Sequence, residues 1–219
     1  MKVGVVMPIG PQDGTGVVPS WEETRVAALA TEEAGFDSAW VYDHLLFRFG
    51  TDPTQGIHEA WTVLSAMAAI TSRVELGILE MAMPFRNPAL LAKMAATLEE
   101  VSGGRLILGV GCGWHEPEFD AFGFPFDHRV GRFELALSIL LPAVRDGRAS
   151  FDGRCHAARD LAPWRGAGPV PRRLTALTSG NSSHEGSTGS RSVVSSGSRT
   201  RRRRQLRGSR SPLPDRPAI

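Results

Sequence analysis

Cysteine is nearly absent from this 219-residue chain, with Cys112 and Cys155 the only two. Two are too few for a disulfide framework, and neither has a second Cys or His at metal-ligand spacing, so no metal centre is expected. A reducing, cytoplasmic setting is the expectation that follows. Lysine is just as scarce: Lys2 and Lys93 stand against 23 arginines among the 25 basic residues. Long apolar runs are missing too. None approaches the ~18 residues of a membrane span, and the opening run from Met1 to Pro8 is too short for a signal-peptide core, so no membrane partner is expected.

Acidic residues are plentiful in one part of the chain and almost absent from the other. Residues 1–160 carry 13 Lys and Arg against 21 Asp and Glu, a net of −8, whereas 161–219 carry 12 Arg against Glu185 and Asp215, a net of +10. The overall +2 therefore joins an acidic body to a basic tail. An acidic body offers nucleic acid no electrostatic footprint. The run Arg201–Arg204, with Arg199 and Arg207 near it, could meet a polyanion, but it lacks interleaved aromatics, and nucleic acid is not an expected partner. A non-catalytic fragment or interaction protein whose basic tail binds polyanions is the alternative reading of the whole chain.

The first 150 residues alternate strand-like and helix-like runs. Val3 to Met7 is short and β-branched, suited to a parallel strand buried on both faces. Ser20 with Glu23 makes a capping box ahead of a helix over 21–34, closed by Gly35. Phe36 to Tyr42 predicts a second strand ending in Asp43-His44. His58 to Ile70 predicts a helix with Trp61, Leu64 and Ala68 on one side, and Val74 to Met83 a third strand. Asn87 is an N-cap with Pro88 at the first helical position, and that helix runs to Ser102 before Gly103-Gly104. Arg105 to Val110 predicts a fourth strand, and a long loop over 111–126 leads to Asp127, read as the cap of a helix to about Arg145. Four βα units of an α/β chain amount to half of a (β/α)8 barrel of the TIM-barrel type, placed here over residues 1–156.

Parallel α/β barrels carry their chemistry at the carboxyl ends of the strands. The segment from Pro84-Phe85-Arg86-Asn87-Pro88 through Gly111-Cys112-Gly113-Trp114-His115-Glu116-Pro117-Glu118 reads as a strand end, a capped helix, a buried strand and a glycine-lined mouth bearing polar groups. On these residues the chain resembles the luciferase-like monooxygenases, which are flavin- or deazaflavin-dependent oxidoreductases, from Met1 to about His156. The resemblance implies a TIM barrel and two-electron chemistry through FMN or a deazaflavin (coenzyme F-420). That chemistry either activates molecular oxygen for monooxygenation or moves a hydride to or from a small organic substrate.

The residues that would carry this chemistry admit plainer readings as well. From position alone, Asp43 caps a loop and His44 bonds to backbone; the resemblance implies that the pair contacts the ring or acts as acid and base, and a His titrates in the required range. Cys112, Gly113 and Trp114 form either a glycine turn over the core or, by resemblance, part of the cofactor wall. His115, Glu116 and Glu118 line the substrate side or form a solvated loop. Arg86 meets a carboxylate or anchors a loop. The resemblance also implies a non-proline cis peptide beneath the ring, falling near Leu79-Glu80, with Glu80 standing where an apolar residue is expected.

The pattern fails after Phe151-Asp152-Gly153-Arg154-Cys155-His156. Residues 157–219 read as a disordered Arg/Ser/Gly/Pro-rich tail, and 161–219 show neither a 2.0 nor a 3.6 period. An arginine-rich, lysine-poor composition suits GC-rich codons, so a shifted reading frame or truncation near residues 160–175 is the expectation, with impaired activity. Four parallel strands leave open edges, and pairing with a second copy is one way to cover them, so a homodimer is expected.

Overall fold

The β-branched runs become parallel strands and the capped runs become helices in the computed structural model, which describes residues 1–12, 16–146, 149–152, 157–161, 173–176 and 193–194. In chain order the elements are β1 (Gly4–Val6), α1 (Trp21–Glu33), β2 (Ser38–Val41), β3 (Leu46–Phe47), β4 (Gln55–Gly56), α2 (Ala60–Ile70), β5 (Glu75–Ile78) and β6 (Met81–Ala82). A short 3₁₀ turn over Met83–Phe85 precedes α3 (Pro88–Val101), β7 (Leu106–Gly111), α4 (Glu116–Phe122) and α5 (Arg129–Asp146). The remaining strands are β8 (Ala149–Asp152), β9 (Ala157–Leu161), β10 (Arg173–Ala176) and β11 (Val193–Val194).

The main sheet runs in the order β1-β2-β5-β7-β10-β11, with β6 also paired to β7. The first four strands in that order are parallel throughout, as expected of successive βα units. Along β7 the side chains alternate between the two faces of the sheet. Leu106, Leu108 and Val110 join the core that holds Leu64, Met67, Leu91, Phe133 and Leu140, while Ile107, Gly109 and Gly111 share the opposite face. Trp40 lies across that opposite face above Gly77, where any Cβ would collide with the indole ring.

The caps read from sequence form largely as anticipated. Ser20 and Glu23 make the full capping box, and the Asn87 side chain accepts from the Ala89 and Leu90 N–H groups. Three expectations need correction. The third strand is split into β5 and β6; the peptide joining Leu79 to Glu80 between them is cis, as the resemblance implied. Asp127 does not cap α5; its side chain and carbonyl accept from Arg132. The loop over 111–126 contains α4, whose start is marked by Pro117 in the first turn and whose end is marked by Gly123 in the left-handed conformation.

Beyond residue 156, β9 pairs antiparallel with β8, so a hairpin crosses the boundary expected there. Within 161–219, which is expected to lack regular structure, β10 lies parallel on β7 with Leu174 opposite Leu108, and β11 is antiparallel to β10. These two strands correct the expectation at their own positions, because an open parallel edge offers backbone hydrogen bonds to a segment whatever its composition. The rest of the expected disordered tail, including the arginine run, lies outside the described residues. No helix among the described residues is long and apolar enough to cross a membrane.

Two polar groups tie the helix ends to the sheet. Arg105 donates to the Ala68, Thr71 and Ser102 carbonyls, supplying partners to the orphan carbonyls where α2 and α3 end. Glu32, at the end of α1, accepts from the backbone N–H groups of Ser72 (3.0 Å), Arg73 (2.7 Å) and Val74 (3.0 Å). Burial pushes the Glu32 carboxyl up, but the Val74, Arg73 and Ser72 donors outweigh it and hold it at about 2. A depressed carboxylate stabilises the fold above its unfolded value near 4.5 and loses that effect as pH falls through about 2. After allowance for solvent screening, Glu32→Gln is expected to cost about 1–2 kcal/mol at neutral pH. The cost should shrink towards zero near pH 2, as urea unfolding at the two pH values would show.

Candidate functional site

The loops after β2, β5 and β7 meet at the carboxyl ends of these strands around a cavity of about 250 Å³. Its walls include Asp43 and His44 from the first loop, Leu79 and Glu80 from the second, and Gly111, Gly113, Trp114 and Glu118 from the third. Seven of the expected site residues are thereby brought together: Asp43, His44, Leu79, Glu80, Gly113, Trp114 and Glu118. Ala82 and Phe85 complete the lining, and nothing in their sequence context distinguished them from core residues.

Asp43 is tied down on both oxygens. Arg86 Nη1 donates to Oδ2 at 2.5 Å and Nη2 to Oδ1 at 2.9 Å, while the Ala82 N–H donates to Oδ2 at 2.8 Å. The Asp43 side chain is wholly buried, and burial drives its carboxyl upward against the pull of the Arg86 guanidinium and the Ala82 amide. Arg86 reaches on to Glu59 Oε1 at 2.6 Å. Glu59 also caps α2 by accepting from the Trp61 and Thr62 N–H groups. Burial pushes the Glu59 carboxyl up, yet those amides and Arg86 hold it below its usual value. Arg86 is therefore a carboxylate partner, one of its two sequence readings, and both oxygens of Asp43 accept hydrogen bonds.

His44 differs from its neighbour in this respect. Its Nδ1 lies 2.9 Å from Glu118 Oε2, and its Nε2 makes no hydrogen bond among the described residues. The other oxygen of Glu118 accepts from the Leu45 and Leu46 N–H groups. Glu118 is only 1% exposed, and it sits on the first turn of α4, the helix that the sequence reading missed. The solvated-loop reading of Glu118 is thus replaced by a buried hydrogen-bonding hub.

The third loop distributes its residues between wall and scaffold. Gly113 holds a left-handed φ of 73°, and a Cβ there would press on the Phe119 ring. Gly111 leaves room for the Glu80 carboxyl, which a Cβ would strike. Trp114 is 49% exposed and packs edge-on to His44 with ring centroids 5.4 Å apart. Cys112, expected to line the cofactor, is instead fully buried in the core, where burial pushes its thiol up. The period-2 alternation could have found this, since Leu106, Leu108, Val110 and Cys112 share one face. His115 and Glu116, expected on the substrate side, are not cavity walls. His115 Nε2 accepts from the Arg48 N–H at 3.2 Å, which puts the ring proton on Nδ1, and burial lowers its pKa further, with Glu118 opposing. Glu116 is exposed at the start of α4.

Glu80 is the cavity carboxyl without a partner among the described residues, and burial raises its pKa. Leu79 and Trp114, each about half exposed, line the cavity together with Gly111 and Gly113. Among the described cavity residues there is no lysine or arginine.

Comparison with known proteins bears on the same segments. Residues 1–184 match the family of luciferase-like monooxygenases. The chain is 30% identical over 200 residues to a pyrimidine monooxygenase, RutA, of Agrobacterium fabrum, covering 85% of this chain and 53% of that protein. The chain thus spans about half the length of that curated relative. An F420-dependent secondary alcohol dehydrogenase in complex with an F420-acetone adduct superposes with a TM-score of 0.61 at 22% identity, over 82% of this chain and 53% of that one. The oxygenating constituent of 3,6-diketocamphane monooxygenase from Pseudomonas putida, a type II Baeyer-Villiger enzyme in complex with FMN, superposes at 0.60 with 18% identity, over 80% and 51%. At these identities the two structures establish the fold alone.

Proposed function

Because this chain belongs to the luciferase-like monooxygenase family, we propose that it is a flavin- or deazaflavin-dependent oxidoreductase acting on a small organic substrate. The FMN and F420 held by its structural relatives support the cofactor class, and the pyrimidine monooxygenase among its sequence relatives supports molecular oxygen as co-substrate. Leu79, Glu80, Gly113 and Trp114 would hold the ring. When bound, such a ring supplies two-electron transfer, and a reduced flavin also activates oxygen.

One observation carries the proposal: a histidine at the carboxyl end of a barrel strand opens into a glycine-relieved cavity with one ring nitrogen uncommitted. His44 Nε2 would take up or deliver the substrate proton, because Asp43 is committed to Arg86 and His115 to Arg48. Leu79 and Trp114 present apolar faces to the cavity. The Asp43–Arg86 pair joins the loops after β2 and β6 and so keeps His44 in register with the cavity wall.

The test is turnover with reduced FMN and with reduced F420, monitored by oxygen consumption and by cofactor absorbance. His44→Gln should lower kcat by about 10²–10⁴-fold with unchanged cofactor affinity. Equal turnover in the variant would remove His44 from the chemistry. No turnover or binding with either cofactor would remove the reading itself.

A further inference from the structure

The titratable groups around the cavity do not share one fate. Asp43 is held by Arg86, and Glu80 has no partner among the described residues, whereas Glu118 divides its two oxygens between a side chain and a backbone segment. Oε2 faces His44 Nδ1 at 2.9 Å, and Oε1 receives the N–H groups of Leu45 and Leu46, the residues that lead into β3. The Glu118 side chain is 2% exposed and that of His44 is 16% exposed, so water cannot readily replace these bonds. Glu118 comes from α4, 74 residues further along the chain. Glu118 thus joins the loop after β7 to the loop after β2 through both of its oxygens.

We infer that Glu118 is a positioning residue that fixes the tautomer of His44, an assignment that rests on reading His44 as the proton carrier of the site. A carboxylate can only accept, so the nitrogen facing Oε2 must carry a proton. In the neutral imidazole that leaves the lone pair on Nε2, in a ring that lines the cavity, ready to receive a proton. The two backbone N–H bonds do the geometric half of the work. They anchor Oε1, and with it the plane of the carboxylate, so that Oε2 meets the imidazole from a fixed direction. His115, on the same loop, cannot substitute, because its Nε2 is occupied by the Arg48 N–H.

Glu118→Gln separates this role from simple packing. The amide oxygen can keep the Leu45 and Leu46 bonds, which leaves the amide NH₂ facing His44 Nδ1 and favours a lone pair there. The neutral tautomer should then invert. Long-range proton–nitrogen spectra of the labelled full chain, recorded without cofactor at about pH 9 so that imidazole is neutral, report the tautomer directly, with His44→Gln used for assignment. The wild type should show at least a ten-fold excess of the Nδ1–H form, and Glu118→Gln should shift the ratio at least ten-fold towards Nε2–H. Glu118→Asp, which keeps an acceptor, should restore the wild-type preference in part.

A predominantly Nε2–H ring in the wild type overturns the inference whether or not any variant folds. An unchanged ratio in a folded Glu118→Gln overturns it equally. Titrating FMN and F420 into the same samples keeps the two claims apart. A tautomer that inverts in a protein binding neither cofactor upholds the positioning role of Glu118 and defeats the cofactor reading.

Discussion

Arg86→Leu is expected to lower the stability of the chain by about 3–5 kcal/mol, the range found when one partner of a buried ion pair is removed. The physical reason is what remains behind. Asp43 has a wholly buried side chain, and without the guanidinium its charge would be met by the Ala82 N–H alone. Leucine cannot supply the two parallel donors of the fork, and Glu59 would lose its cationic partner at the same time. Asp43→Asn should cost less, since the Arg86 guanidinium left behind keeps Glu59 as an ionic partner. The double variant should be more stable than the sum of the single losses by about 0.5–3 kcal/mol. Urea unfolding followed by tryptophan fluorescence measures all three. A loss below 1 kcal/mol for Arg86→Leu would show that the pair is dispensable.

Phosphate should contribute nothing to flavin binding by this chain, so FMN and riboflavin are expected to bind with dissociation constants within about three-fold of each other. A phosphate site built from two charge-assisted hydrogen bonds contributes about 1.5–3 kcal/mol for each bond. Its lack weakens FMN by roughly two to four orders of magnitude at 1.4 kcal/mol per ten-fold. The described cavity walls carry carboxyl groups, Asp43, Glu80 and Glu118, and no lysine or arginine. The phosphate would therefore meet net repulsion from Glu80, whose carboxyl has no cationic partner among the described residues, and lowering the salt should not improve FMN binding. Fluorescence titration of FMN, riboflavin and F420 at two ionic strengths tests this. A submicromolar dissociation constant for FMN, with riboflavin a hundred-fold weaker, would mean that a cation outside the described residues reaches the phosphate.

Much of the framework is written in short-range chemistry. Ser20 with Glu23, and Asn87 with Pro88, fix where α1 and α3 begin because their bonds close within three residues of the cap. The signals of α4, Pro117 and Gly123, are of the same local kind, but a helix of seven residues is too short to display a 3.6 period. Cys112 was equally legible from the alternation of β7. Glu59 is a local cap too, but Glu is a less usual one than Ser, Thr, Asp or Asn, and the helix expected from His58 begins at Ala60.

What the sequence by itself determined is therefore the alternation of strand and helix, the parallel order of the first four strands and the meeting of the strand-end loops at one mouth, since periodicity, capping and the βα rule act between residues close in the chain. Tertiary structure alone decided which polar side chain does what at that mouth. Asp43 finds Arg86 43 residues away and His44 finds Glu118 74 residues away, and no local pattern encodes either pairing. Two adjacent residues of one dipeptide, Asp43 and His44, thus part company: one is neutralised by a guanidinium, and the other keeps a nitrogen open to the cavity. The reason is geometric, because the hydrogen bonds that set each role reach about 3 Å and only the packed sheet brings their partners within that distance.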